Sequence, residues 1–141
     1  MATQENIKPA TEAAERDALN EAAERDALNE ASMALGRAWG LAETLCFQAG
    51  ERPDDFDVEG VMRVIHSLVG QAKAKVGARA VDLEIDAALA VCCLVMVDSQ
   101  ESAYDPGSSS SWALEAVPSA IQRAKDAVDA VPWGLPQLKA A

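Results

Sequence analysis

Apolar residues recur along most of the chain at three- and four-residue spacing, which is the pattern of a helix with one buried face. The spacing predicts four helices, at about 12–49, 57–77, 80–98 and 112–131. Residues 1–11 are expected to be disordered, and 132–141 to form a C-terminal tail. Counted from Leu28, the four apolar stretches are each about 20 residues long, as in an antiparallel four-helix bundle. The fold prediction is therefore a single all-α domain over residues 12–131.

The nonapeptide EAAERDALN occurs twice without change, at 12–20 and 21–29. Its residues are strong helix formers, and its Glu and Arg side chains form favourable i,i+4 pairs. Nine residues make two and a half turns, so the two copies face opposite sides of one helix. The apolar stripe downstream includes Leu28 and excludes Leu19. The first copy is therefore predicted to be a helical overhang in front of the bundle, which either frays or is covered by a second molecule.

The third and fourth helices are less regular in pattern. Residues 81–86 alternate like a strand, and the eleven residues Ala87–Val97 are all apolar, too few for the roughly 20 that span a membrane. A helix apolar on almost every side is expected to be the central helix, buried on most sides. In the fourth helix, Pro118 is best tolerated near the start, so Trp112–Val117 is expected to form a separate turn.

The formal net charge is −11, and acids outnumber bases most strongly in residues 1–30 and 80–105. Such a balance argues against direct binding to nucleic acid or to an anionic membrane surface. The N-terminus lacks the apolar segment of a secretory signal, and three cysteines make no disulfide framework. The expected location is the cytoplasm of a bacterial cell.

Candidate chemistry is sparse, so the chain is predicted not to be an enzyme and to have no catalytic residue, metal site or cofactor. His66 is the only histidine, it lies at the edge of a polar helix face, and no third group orients it beside a nucleophile. Cys92 and Cys93 are adjacent, which is a poor arrangement for zinc. The acidic patch of the third helix is expected to complement its dipole; it consists of Asp82, Glu84 and Asp86.

The function predicted from these features is a non-enzymatic helical interaction module that binds a protein partner, including a second copy of itself. The predicted partner-binding residues are Glu12, Arg16 and Leu19 on the overhang, and Trp133 and Leu135 in the tail. The alternative is a small acidic inhibitor of a host defence nuclease or another nucleic-acid-binding protein, of the kind that phages and mobile elements encode. This alternative rests on size, acidity and the lack of catalytic motifs.

Overall fold

Four helices make up the fold: α1 (Ala2–Glu51), α2 (Val58–Val76), α3 (Asp82–Glu101) and α4 (Ser109–Asp129). The structure, a computed structural model, describes residues 2–52, 55–77, 82–101, 104–105 and 107–131, with side chains from residue 11 onward except those of Asp82 and Glu101. These residues contain no strand, so the all-α prediction is confirmed. None of the helices in these ranges combines the length and apolarity that a membrane crossing requires.

The helices form a ring in which each packs against two neighbours, in the order α1, α2, α3, α4. Cross-helix bonds show that the neighbours are antiparallel, because residues late in one helix meet residues early in the next. These pairs are Glu30–Lys75, Ser32–Asp129, Cys46–Leu114, Glu59–Gln100, Lys73–Asp86 and Asp98–Ser110. The predicted antiparallel four-helix bundle is therefore confirmed.

The predicted apolar stripes of α1 and α2 converge on one core. Their buried side chains are Leu28, Ala31, Leu35, Ala38, Ala42, Leu45 and Ala49, with Val58, Met62, Ile65, Val69, Ala72 and Val76. The many alanines of α1 let its neighbours approach closely. Trp39 falls within the same three- and four-residue spacing but is 38% exposed. It follows Ala38 by one residue, which turns its side chain about 100° away from the core.

The ends of α2 are capped, whereas α1 runs past its predicted end. The Asp57 carboxylate accepts a hydrogen bond of 2.9 Å from the backbone N–H of Gly60, as an N-cap residue does. Gly77 ends the helix at φ +68°, and its N–H bonds to the carbonyl of Lys73, which is the usual role of glycine in that position. Gly50 directly follows the predicted end of α1 at residue 49, but it lacks a positive φ and the helix continues to Glu51.

The fourth helix is continuous from Ser109 to Asp129, so the separate turn expected at Trp112–Val117 is not formed. Pro118 lies in its interior and has no N–H to donate to the carbonyl of Leu114 one turn earlier. The Cys46 thiol of α1 donates to this carbonyl, with 3.4 Å between sulfur and oxygen. A neighbouring helix therefore supplies the donor that the proline removes.

The first helix begins at Ala2, ten residues before its predicted start at residue 12. Extending an existing helix needs no new nucleus, which favours continuation through the segment 1–11 that was expected to be disordered. The bundle begins only where α2 and α4 end, at the height of Glu30 and Ser32. The part of α1 before Leu28 projects beyond it by about 39 Å at 1.5 Å per residue. The predicted overhang is therefore present and longer than expected.

Candidate interaction site

The overhang exposes the three partner-binding residues predicted on it. Glu12, Arg16 and Leu19 are all exposed, and their four- and three-residue spacing places them on one helix face. Leu19 is 70% exposed, whereas Leu28, at the same place in the second repeat copy, is 3% exposed. Leu28 is buried in the core as its spacing predicts, whereas Leu19 is exposed because of its height along α1. Among the described residues, α2 and α4 have already ended at the height of Leu19, so neither helix covers it.

The predicted acidic patch does not form a row of unpaired carboxylates. Asp82 is the first residue of α3, and its side chain lies outside the described part of the structure. Glu84 is exposed, while Asp86 forms an ion pair with Lys73 of α2. At least one of the three charges is therefore neutralised across the α2–α3 groove.

The other predicted surface was placed on the tail, and its residues Trp133 and Leu135 lie outside the described residues. Trp112, which was expected at a helix end, is in the first turn of α4 and is 73% exposed. A tryptophan in this position does not cap the core. It instead adds a large apolar surface to the side of α4 that faces solvent.

The largest surface that the sequence prediction missed is on α3, which is not the central helix. One side of it is buried in the core, and no described helix covers the opposite side, because each helix of the ring packs mainly against two others. Leu83, Leu94 and Val97 are 78%, 62% and 53% exposed, and Ala87 and Ala90 between them are also exposed. These five residues are here called the α3 outer face.

The α3 outer face carries no charged side chain over its central three turns, Ala87–Val97. Asp86 and Asp98 flank this stretch, and both already have partners: Asp86 pairs with Lys73, and Asp98 accepts a hydrogen bond from Ser110 of α4. Contiguous apolar surface of this kind usually marks an interaction site on a soluble domain. The feature of the sequence that indicated this surface was the unbroken apolar run Ala87–Val97. It contains more apolar residues than one buried helix face can hold.

The α2–α3 groove brings together the only histidine and one of the cysteines. His66 Nε2 lies 3.3 Å from Cys93 Sγ; Cys93 is exposed and His66 is partly buried. They are 27 residues apart in the chain, so no local spacing could have indicated the contact. Among the described residues, no cluster of three or more His, Cys, Asp or Glu side chains is placed to hold a metal.

The other two cysteines are unsuited to nucleophilic chemistry. Burial, with smaller contributions from Glu43 and Glu115, raises the pKa of the Cys46 thiol to about 11. Burial likewise raises the pKa of Cys92, which has no exposed surface, to about 12. Both remain protonated thiols near neutral pH, and it is the thiolate that reacts.

Two surface grooves among the described residues are small. A groove lined by Glu30, Met33 and Lys75 among others measures about 260 Å³, and one beside Leu94 and Asp98 about 170 Å³. Both are smaller than the roughly 300–1,000 Å³ typical of ligand pockets. Comparison with protein-family models, curated protein sequences and solved structures gives no match for this chain.

Proposed function

We propose that the protein is a non-enzymatic interaction module and that its α3 outer face binds a second copy of the chain. The observation that supports this proposal is the exposure of Leu83, Leu94 and Val97 on one side of a helix. Burying these side chains against another apolar surface is favourable by about 25 cal/mol per Å² of apolar area. No helix of the same chain covers them in the described ring.

A second copy is favoured as the occupant because of the distribution of charge. Two chains that each carry a net charge of −11 repel one another at most surfaces. Contact through the uncharged stretch Ala87–Val97 leaves the centre of the interface without acids. The exposed alanines at 87 and 90 also allow two helix backbones to approach closely. The face is thus compatible with the same face on a second molecule, as a twofold symmetric interface requires.

The overhang is the second surface of the proposed module. It presents Leu19 between charged residues of both signs, Arg16 and Asp17 among them. A single exposed leucine buries far less apolar area than the α3 outer face does. We therefore assign the overhang a secondary role, in which it extends the contact with a partner.

Sedimentation velocity of two matched variants tests the proposal. Leu94→Glu places a charge in the centre of the α3 outer face, and Val64→Glu places the same charge on a side chain of α2 that is 52% exposed. We expect the wild type and Val64→Glu to form dimers, and Leu94→Glu to dissociate at least about tenfold more readily, because burying an unpaired charge is costly. A monomeric wild type, or equal effects of both substitutions, would refute the proposal.

The acidic-inhibitor alternative remains a separate hypothesis. An acidic inhibitor of this kind would imitate the phosphates of nucleic acid, which needs rows of carboxylates without neutralising bases. Four acids in the bundle are instead paired with Lys or Arg. These pairs are Arg63–Glu59, Lys73–Asp86, Lys75–Glu30 and Lys125–Asp129. Purification of a basic nucleic-acid-binding protein together with monomeric chain, released at high salt, would favour the alternative over self-association.

A further inference from the structure

His66 and Cys93 have side chains of the kinds that bind metals, and the fold brings them together in the described part of the chain. They project from the middle of two packed helices, which restricts their positions more than a loop would. The sulfur and the ring nitrogen are already 3.3 Å apart, and both residues are accessible to solvent. The third thiol-bearing residue nearby, Cys92, has no exposed surface and faces the core.

The distance between the Cys93 sulfur and the His66 nitrogen is close to the distance between two ligand atoms of a tetrahedral zinc site. Zinc binds cysteine sulfur at about 2.3 Å and histidine nitrogen at about 2.0–2.1 Å in a tetrahedron, so these ligands are roughly 3.6 Å apart when they share an ion. The observed distance differs from that edge by only a few tenths of an ångström. A small adjustment of either side chain about its rotatable bonds is enough to bring both to one ion.

One chain supplies only half of such a site. Structural zinc takes four protein ligands, and the described residues place no third ligand beside this pair. We propose that His66 and Cys93 are half of a zinc site, which the same two residues of a second copy complete as Cys₂His₂. This inference rests on the proposed self-association, because Ala90, Leu94 and Val97 of the α3 outer face lie within one turn of Cys93.

Zinc binding in this arrangement has a defined proton balance. Each Cys93 thiol loses its proton and forms a sulfur–zinc bond, while each His66 binds through its neutral ring. Each zinc ion therefore releases two thiol protons for every two chains. No redox step is involved, because Zn²⁺ neither gains nor loses electrons.

Titration of the full-length, chelator-treated protein with Zn²⁺ tests the inference. We expect calorimetry to give one zinc per two chains, about two protons released per ion, and a shift towards dimer in sedimentation. His66→Ala and Cys93→Ser each remove a proposed zinc ligand. Loss of a group that only hydrogen-bonds to a ligand typically weakens metal binding by about 10- to 100-fold, so we expect each substitution to weaken zinc binding by at least that much. Cys46→Ser, which changes a thiol that bonds to the Leu114 carbonyl of α4 and not to His66, should bind zinc like the wild type.

The outcomes separate this inference from the proposed function. A dimer that persists in chelator and takes up no zinc overturns the zinc site but leaves self-association standing. A chain that is monomeric with and without zinc overturns both. Binding of one zinc per chain without dimerisation, or equal loss of binding in Cys46→Ser, overturns the shared site.

Discussion

The bond between the Cys46 thiol and the Leu114 carbonyl allows a direct test of how α4 tolerates an interior proline. The perturbation is Cys46→Ala, which removes the donor, measured in the wild type and in a Pro118→Ala background. In that background the residue at 118 has an N–H that can donate to the same carbonyl. Cys46→Ser is the matched control because its hydroxyl keeps a donor in place.

The expected magnitude follows from the burial of the acceptor. Leu114 is 1% exposed, so without the thiol its carbonyl has little access to water. A buried acceptor without a donor costs about 1–3 kcal/mol, and the thiol is a weak donor. We therefore expect Cys46→Ala to lower the free energy of unfolding by about 1–2 kcal/mol in the wild type, including lost packing.

In the Pro118→Ala background only the packing contribution should remain, which gives a coupling energy of about 0.5–1.5 kcal/mol between the two positions. The double-mutant cycle cancels the effect of losing the buried proline ring itself. Urea unfolding followed by far-ultraviolet circular dichroism measures all four corners of the cycle. If Cys46→Ala costs the same in both backgrounds, or if Cys46→Ser is as damaging as Cys46→Ala, the thiol does not compensate for the proline.

Two further predictions concern the repeat and the buried thiols. Leu28→Ala should lower the free energy of unfolding by about 2–4 kcal/mol because it opens a cavity in the core. Leu19→Ala in the identical nonapeptide should change it by less than about 0.5 kcal/mol. Equal effects of the two substitutions in urea unfolding, or a loss of stability on deleting residues 12–20, would show that the overhang is packed. Because burial raises the pKa of Cys46 to about 11 and of Cys92 to about 12 from 9.0, the unfolded chain loses these protons first. Stability from this source is fully present below about pH 9 and should fall as the pH rises above it. The urea midpoint between pH 8 and 11 should therefore decline less steeply in Cys92→Ala, and an unchanged slope would contradict the argument.

The positions of the helices could be predicted because the apolar spacing and the capping residues that mark them are local features of the sequence. The three- and four-residue spacing in α1 and α2 marks one face at a time, and the buried residues from Leu28 to Ala49 follow it. Asp57 and Gly77 also act as helix ends, because capping depends on a few neighbouring backbone groups. The prediction failed at the start of α4, which continues through Pro118. The carbonyl that this proline leaves without a donor is bonded by Cys46, a residue far away in sequence.

The sequence by itself determined that this protein folds as four helices, with Leu28 in the core. Periodicity carries that information because it reports direction around a single helix axis. Only the tertiary structure decided that α3 is a peripheral helix whose outer apolar face no described helix covers. A helix that is apolar all round does not indicate which of its sides faces the core, and the number of its neighbours is a property of the whole ring. The same holds for His66 and Cys93, which meet because antiparallel packing aligns the middle of α2 with the middle of α3.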